Sequence, residues 1–222
     1  MLLEYLLDRR IKKIDYLIIS HFDSDHCENS KEIIKNLKVK NLIIGKQVEE
    51  NEEFNQIVTL ARNKKVNIVK VQNGDTIRID KETSVEILWP DNSAIVQKNA
   101  INNNAIVAKF QYEKFSVLFT GDIEKEAEEK ILQKDSSKLQ ATILKVGHHG
   151  ANTSTTDEFI KMVQPKIGLI GVGKDNKYGH PNSQIIEKLK KNEVKIYRTD
   201  LCGEISIILK RNGKMKIDTH LK

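Results

Sequence analysis

The sequence predicts an α+β fold in which β-sheets stack face to face and helices cover their outer faces. Apolar, β-branched runs of strand length alternate with amphipathic helical segments towards both ends of the chain. Residues 66–88 and 105–120 instead hold strands that follow one another without a helix, as in a β-meander. This mixture is not expected of a single doubly wound sheet. Because no repeat, low-complexity segment or linker interrupts the pattern, we predict one domain over residues 1–222.

Hydrophobic periodicity and turn residues predict the individual elements. The first helix is predicted over residues 2–10, because its leucines fall on one face. Further helices are predicted at 30–37, 51–62, 124–132, 157–163 and 183–191. Strands are predicted at 14–20, 41–44, 66–71, 76–79, 85–88, 105–112, 115–120, 142–146, 167–172, 194–198, 203–209 and 214–218. Residues 91–104 are polar and rich in Asn, a composition that predicts a loop.

Size and composition exclude several classes of protein. A chain of 222 residues can bury one substantial core, and no apolar run approaches the ~20 residues of a membrane helix. With only two cysteines, Cys27 and Cys202, it has neither a disulfide framework nor a Cys-rich zinc site. Cys27 is predicted to be a small buried residue at the start of a helix, although its position beside His26 also allows it to be a ligand. The net charge of +6 is compatible with a polyanionic substrate but does not argue for one alone.

The densest group of chemically active side chains follows the first predicted strand. The stretch Ser20-His21-Phe22-Asp23-Ser24-Asp25-His26 holds two imidazoles and two carboxylates directly after an apolar run. Isolated buried charges are costly, so carboxylates at the end of a core strand indicate a compensating cation. The alternative is a polar loop that happens to hold His and Asp. The density of the cluster favours a metal or catalytic site.

Three more predicted strands end at residues of the same kind. Asp122 follows the strand that ends at residue 120, His148 and His149 follow the strand that ends at 146, and His180 lies in the loop after the strand that ends at 172. Strand ends along one sheet edge lie about 5 Å apart, so these side chains are expected to converge. Taken singly, each motif could have a purely structural role. Asp122 could belong to a Gly-Asp turn, His148 and His149 to the start of a capped helix, and His180 to a rigid Gly-His-Pro turn. His220 stands apart and is predicted to lie on the surface.

The order of these motifs resembles the metallo-β-lactamase superfamily. More narrowly, it resembles the C-terminal hydrolase domain of the ComEC family of DNA-uptake (competence) proteins. The resemblance rests on segments that span nearly the whole chain in the family's order. They are His21-x-Asp23-x-Asp25-His26, Asn103-Asn104, Leu118 to Asp122, Leu144 to Gly150, Asn176 to Pro181, and Tyr197-Arg198-Thr199-Asp200 before Gly203.

The resemblance implies an αββα sandwich with metal ions at one edge. His21 and Asp23 would hold one metal, Asp25 and His26 the second, and Asp122 would bridge them. His148, or His149 in its place, and His180 would complete the set. Two divalent ions lower the pKa of water, so that hydroxide is available near neutral pH. Asp25 and Asp122 are the predicted catalytic carboxylates.

The metal is predicted to be Mn²⁺ or Zn²⁺, with Mg²⁺ as a further option. Asp23 stands where most of the superfamily has an imidazole, and this oxygen-rich site favours manganese, although affinity order alone favours zinc. Tyr178 and Asn104 are weaker candidates for contact with substrate. The ring of Tyr178 could stack on a base or simply pack in its loop.

Three features depart from the family. Relatives usually begin with two or three strands before the segment that starts this chain, so we expect the first strands of the fold to be absent here. Glu28-Asn29 replaces the usual Gly-Gly, and residues 102–104 replace the superfamily's middle histidine ligand. We expect a soluble domain, either cytoplasmic or the extracytoplasmic portion of a membrane protein, with a membrane channel domain in full-length relatives.

Three functions follow from these observations. The first is a metal-dependent nuclease or phosphodiesterase that acts on DNA in DNA uptake, with single-stranded DNA as the expected substrate. The second is a hydrolase of a small phosphoester, thioester or lactone, because fold does not fix substrate. The third is an inactive fragment whose metal site is incomplete.

Overall fold

Two stacked β-sheets with helices on their outer faces form the body of the computed structural model, which describes residues 2–210 and 213–221. The small sheet is parallel throughout, with the strand order β1-β2-β3. Its strands are β1 (Lys13–Ile19), β2 (Lys38–Gly45) and β3 (Asn67–Val71), and the helices around them are α1 (Leu2–Asp8), α2 (Ser24–Asn36) and α3 (Glu52–Asn63).

The large sheet has seven strands in the order β10-β9-β8-β7-β6-β5-β4. Its strands are β4 (Thr76–Arg78), β5 (Thr83–Trp89), β6 (Val107–Tyr112), β7 (Phe115–Phe119), β8 (Ile143–Lys145), β9 (Ile167–Ile170) and β10 (Lys195–Arg198). Strands β4 to β7 pair antiparallel, whereas β7 to β10 pair parallel. The remaining helices are α4 (Ala100–Asn103), α5 (Lys125–Asp135), α6 (Asp157–Val163), α7 (Ser183–Lys191) and α8 (Thr199–Cys202), and the hairpin β11–β12 spans Ile205–Leu209 and Met215–Thr219.

Three apolar clusters fill the spaces between the four layers. The first joins β1 and β2 to α2 and α3, the second lies between the two sheets, and the third joins the large sheet to α5, α6 and α7. The middle cluster consists of Ile43, Val71, Val85, Ile87, Ile106 and Ala108. Burying an aliphatic side chain of Val or Ile size contributes about 1.5–3 kcal/mol. The two stacked sheets and the helices on their outer faces confirm the predicted α+β fold.

The observed elements differ from the predicted ones mainly beside the candidate site. Helix α2 begins at Ser24 rather than at residue 30, because Asp23 takes the N-cap position and its carbonyl accepts hydrogen bonds from the backbone N–H groups of His26 and Cys27. Asp25 and His26 therefore lie in the first turn of a helix and not in a loop. Cys27 is fully buried in α2, as predicted.

Two short helices lie where none was predicted. Helix α4 lies inside the Asn-rich segment that was predicted as a loop, and α8 follows β10. Both are single turns, too short for a periodic apolar pattern to reveal them. None of the described helices combines the length and the apolar character needed to cross a lipid bilayer.

Candidate metal centre

The candidate site lies across both sheets rather than along the edge of one sheet. Strand β1 belongs to the small sheet and delivers the segment from His21 to His26. Strands β7, β8 and β9 are parallel neighbours in the large sheet, and they deliver Asp122, the two adjacent histidines and the loop that contains His180. The expectation of a single sheet edge is therefore wrong for β1. The carboxyl ends of all four strands nevertheless meet, because the two sheets stack with these ends on the same side.

Four side chains form the tightest cluster. One ligand atom from each of Asp25, His26, Asp122 and His149 lies within 4.8 Å of all the others. His149 Nε2 lies 3.1 Å from Asp25 Oδ2 and 3.1 Å from His26 Nε2. His26 Nε2 lies 3.2 Å from Asp122 Oδ1. Helix α2 thus contributes two of these groups, and the loops after β7 and β8 contribute one each.

The hydrogen bonding of His149 makes this cluster fit a cation. Its Nδ1 lies 2.6 Å from the carbonyl oxygen of Gly171, which can only accept, so Nδ1 carries the proton. In the neutral ring, Nε2 then presents a lone pair to two carboxylates and to His26. Electron-rich atoms at such distances repel one another unless a cation or an added proton lies among them. The donor set of imidazole nitrogens and carboxylate oxygens is the one that divalent transition metals prefer.

A second group of ligand atoms adjoins the first through Asp122. His21 Nε2 is buried, has no hydrogen-bond partner among the described residues and lies 3.7 Å from Asp23 Oδ2. His148 Nε2 lies 3.8 Å from Asp122 Oδ2. Burial lowers the pKa of His21 to about 4, and the charge of His26 acts in the same direction. His21 is therefore a neutral imidazole near pH 7, the form that binds a metal.

Asp122 occupies the centre of both groups. Its side chain is only 4% exposed, its Oδ1 faces His26, and its Oδ2 faces His148 and His149. Burial alone would raise the pKa of Asp122, but the surrounding imidazoles, His26 first, more than offset this and lower it. Oδ1 accepts no well-formed hydrogen bond among the described residues. A buried, ionised carboxylate with its oxygens facing two separate sets of ligands is suited to bridge two cations.

The adjacent histidines adopt an uncommon backbone conformation. His148 and His149 have φ values of 48° and 53°, and Gly150 follows at 84°. Non-Gly residues in this left-handed region are uncommon and concentrate at functional sites. The turn sends the two rings to different ligand groups, and their centroids are 6.5 Å apart. His149 lies in the four-residue cluster, whereas His148 lies beside it.

An open cleft lies over the ligand groups. Its volume is about 620 Å³, and its lining includes Asp25, His148, His180 and Tyr178. The ring of His180 lies 5.9 Å from that of His148, and Tyr178 stacks on His180 at 5.8 Å. Tyr178 is 83% exposed. The structure thus places His180 at the rim of the site and Tyr178 above it.

Asn176 holds the rim loop in place. Its Oδ1 accepts a hydrogen bond from the His180 backbone N–H at 2.9 Å, and its Nδ2 donates to the His180 carbonyl at 2.8 Å. Burial lowers the pKa of His180, and the nearby His148 and His149 rings act in the same direction. The fixed backbone and the lowered pKa of the ring make His180 able to act as a ligand or to contact substrate.

Asn104 belongs to the scaffold and not to the cleft. It is 3% exposed, and its Oδ1 accepts from the Val96 N–H. Its Nδ2 donates to the carbonyls of Val96 and Ala100. Because backbone groups engage both ends of the amide, the expected contact between Asn104 and substrate finds no support in the structure.

Two charged residues near the site, the buried Glu124 and the half-buried Lys145, were not among the predicted site residues. Glu124 lies two positions after Asp122, and its carboxylate approaches His148. Lys145, on β8, lines a separate cavity of about 410 Å³ with His26 and Phe119. Burial lowers the pKa of Lys145, against the opposing influence of Asp122 and Asp25. Lys145 is the single charged residue in the predicted apolar strand 142–146, and this conflict in the sequence could have drawn attention to it, whereas Glu124 opens a charged helical segment and carries no such signal.

The stacked sheets, the outer helices and the ligand cluster together define a metallo-β-lactamase-like protein with a candidate metal centre. Residues 1–96 match the model of the metallo-beta-lactamase superfamily. The fold is also similar to that of CmlA, a diiron beta-hydroxylase from Streptomyces venezuelae, with a TM-score of 0.56 and 14% sequence identity over 84% of this chain and 44% of that chain. The predicted resemblance to this superfamily is confirmed, and it supports a metal-dependent, hydrolase-type enzyme.

The curated relatives of this chain include proteins whose names refer to competence and to recombination. ComE operon protein 3 of Bacillus subtilis (strain 168) is 34% identical over 205 residues, which are 92% of this chain and 26% of that protein. Recombination protein 2 of Haemophilus influenzae is 27% identical over 194 residues, which are 87% of this chain and 22% of that protein. The chain thus spans 22–26% of the length of these two relatives. The predicted likeness to the ComEC family is confirmed.

Proposed function

We propose that residues 1–222 act as a single metal-dependent phosphodiesterase domain that cleaves DNA, with single-stranded DNA as the preferred substrate, in the context of DNA uptake. The observation that carries the proposal is the convergence of imidazole nitrogens and carboxylate oxygens on one point beside an open cleft. Mutual repulsion among these groups is relieved by divalent cations. The similarity to competence proteins supports DNA as the substrate class.

Two ligand groups would hold two metal ions. Asp25, His26 and His149 would form one group, and His21, Asp23 and His148 the other. Asp122 would belong to both, and His180 would complete the set from the rim. Burial raises the pKa of Asp23, and the charges of Asp25 and Asp122 raise it further, so a cation beside Asp23 would stabilise its ionised form.

The residues of the chain have distinct tasks in hydrolysis. When bound, a pair of divalent ions would supply Lewis acidity and lower the pKa of water, so that a hydroxide nucleophile is available at neutral pH. Asp25 is 60% exposed towards the cleft, so it can accept a proton from water and pass it to solvent. Asp122 is buried and fixes the spacing of the two ligand groups. Manganese is the proposed native ion, because the two ligand groups contain three carboxylates and Mn²⁺ prefers oxygen ligands more strongly than Zn²⁺ does.

The proposed activity can be tested with one metal and one substrate at a time. Chelated protein would be supplied with Mn²⁺, Zn²⁺ or Mg²⁺ and given labelled single-stranded DNA, duplex DNA, bis(p-nitrophenyl) phosphate, a thioester and a lactone. We expect cleavage of single-stranded DNA with Mn²⁺ and none after chelation. Full activity with zinc and none with manganese would contradict the assignment of the metal. Hydrolysis of the small esters alone would contradict DNA as the substrate.

A small phosphoester, thioester or lactone is the second candidate substrate. The observation that favours it is the scarcity of aromatic residues, which make up 5% of the chain. Proteins that bind single strands generally stack successive bases on several aromatic rings. Here Tyr178 is the aromatic side chain that lines the cleft.

Replacing Tyr178 separates the two candidates. If DNA is the substrate, Tyr178→Ala removes a stacking partner worth about 1–3 kcal/mol and raises the KM for single-stranded DNA by roughly 5- to 150-fold. Hydrolysis of bis(p-nitrophenyl) phosphate should be unchanged, because it places no base over the ring. Tyr178→Phe keeps the ring and should keep the wild-type KM. Equal loss on both substrates in Tyr178→Ala would mean that the ring supports the rim loop and not a base.

A further inference from the structure

Glu124 is a buried carboxylate at the back of the candidate metal centre. It is 4% exposed, and its Oε2 accepts hydrogen bonds from Asn99 Nδ2 at 2.7 Å and from Asn103 Nδ2 at 3.4 Å. Its other oxygen, Oε1, lies 3.8 Å from His148 Nδ1. Among the described residues, His148 is the one ionisable donor within 4.0 Å of this carboxylate. Burying a carboxylate with no cation close to it costs free energy. This cost is smaller if the His148 ring directs an N–H group towards the carboxylate.

His148 has an outer and an inner nitrogen. The outer one, Nδ1, faces Glu124 Oε1 and lies 3.4 Å from Thr153 Oγ1. The inner one, Nε2, faces Asp122 Oδ2 at 3.8 Å. A proton on Nδ1 leaves the Nε2 lone pair directed towards the ligand groups, whereas a proton on Nε2 removes His148 as a ligand.

The Asn-rich segment fixes the position of Glu124. The backbone N–H of Glu124 donates to Asn103 Oδ1 at 3.0 Å, and the Asn103 carbonyl accepts from Trp89 Nε1 at 2.7 Å. Asn99 occupies the left-handed region with φ 41° and ψ 56°, a conformation that Asn tolerates better than most residues. Asn103 has no exposed surface. Asn103 and Glu124 are thus buried and Asn99 is exposed, and among the described residues the ionisable group within 4.0 Å of the Glu124 carboxylate is His148.

We propose that Glu124, held by Asn99 and Asn103, is a positioning residue that orients His148 for metal binding. The proposal rests on the proposed metal centre, and it assigns a role to the Asn-rich segment, which contributes no group to the cleft. Carboxylate partners of this kind fix the tautomer and orientation of a ligating histidine and raise its basicity. The carboxylate acts through His148 and does not itself touch the substrate.

The test is a metal titration of chelated protein followed by calorimetry. The wild-type protein is expected to bind two equivalents of Mn²⁺. Glu124→Ala should weaken one of the two equivalents by about 10- to 100-fold and leave the other unchanged. Glu129→Ala removes an exposed glutamate from α5, the helix that Glu124 precedes, and should bind metal as the wild type does. Thr153→Val, which removes the other partner of Nδ1, should have a smaller effect than Glu124→Ala.

Two further measurements distinguish orientation of His148 from general support of the fold. In a double-mutant cycle, Glu124→Ala should cost no further affinity in a His148→Ala background. In metal-free protein, the ring nitrogen resonances of His148, assigned by their loss in His148→Ala, should report protonation at Nδ1 in the wild type and a mixture of tautomers in Glu124→Ala.

Additive losses in the cycle, or an unchanged His148 tautomer in Glu124→Ala, would overturn the proposal. A wild-type protein that binds no metal would refute the proposed function instead, and the tautomer measurement on metal-free protein would then decide the role of Glu124 alone. If Thr153→Val reproduced the full loss of affinity, the positioning group would be the hydroxyl and the proposal would be wrong.

Discussion

Asp122→Asn is expected to lower metal-dependent hydrolysis by about 10³-fold, or roughly 4 kcal/mol of transition-state stabilisation. Asn matches Asp in size, so the buried site should keep its packing. What changes is the charge at the one point where both ligand groups meet, since Asp122 Oδ1 faces His26 and Oδ2 faces His148 and His149. An amide offers one oxygen and one N–H donor, and the N–H cannot bind a cation. Bridging is therefore lost.

The same variant should bind fewer than two metal equivalents in calorimetry, with an unchanged circular dichroism spectrum. Asp15→Asn provides the matched control, because Asp15 is an exposed carboxylate paired with Lys13 at 2.7 Å on the surface. We expect wild-type metal binding and activity from that control. If Asp122→Asn kept both metals and more than a tenth of the wild-type rate, the two ligand groups would not share this carboxylate.

The sequence predicted which residues lie together at the candidate site better than it predicted their arrangement. Each candidate ligand follows an apolar strand, and this pattern is local, so it can be recognised in the sequence without knowledge of the fold. The assignment of β1 to the small sheet is not local: it depends on the parallel pairing of β1 with β2 across α2. The early start of α2 was missed because Ser24, Asp25 and His26 are polar and carry no apolar periodicity, although Ser and Asp near a helix start are a known signal.

Glu124 shows a second limit of sequence analysis. The segment Thr120-Gly121-Asp122-Ile123-Glu124 predicts a turn followed by a helix, and a glutamate before a helix is ordinarily solvent-exposed. Its burial arises from Asn99 and Asn103, which lie more than twenty residues earlier and were assigned to a loop. Long-range contacts between polar side chains leave no periodic trace in a single sequence.

Adjacent histidines pose the same difficulty on a smaller scale. The sequence favoured His148 over His149 only weakly, because two neighbours in a Gly-His-His-Gly turn are equivalent as residue types. Their separation comes from the left-handed backbone at both positions, with φ values of 48° and 53°. This conformation places His149 Nδ1 against the Gly171 carbonyl and His148 Nδ1 towards Glu124. The structure therefore makes both histidines candidate ligands, one in each group.

Replacing the two histidines one at a time should remove different metals. His149→Asn is expected to weaken binding of the metal held with Asp25 and His26 by about 100-fold. Loss of a residue that supports a metal ligand typically lowers metal affinity 10- to 100-fold, and loss of the ligand itself should lower it at least as much. His148→Asn should weaken the other metal by a similar factor. Each variant should therefore retain one tight equivalent in calorimetry, and the double variant should retain none.

The exposed His220 supplies the control, since His220→Asn changes a ring that lies outside both ligand groups and should leave two tight equivalents. The informative contrast is between the two single variants. If His148→Asn abolished all binding and His149→Asn none, His149 would be a neighbour that merely approaches Asp25 in the metal-free protein, and His148 alone would serve the site. If both variants lost the same metal equivalent, the two histidines would share one metal. The second ligand group would then need His180 in place of His148. The His180 ring is close enough for this role, since it lies 5.9 Å from the His148 ring.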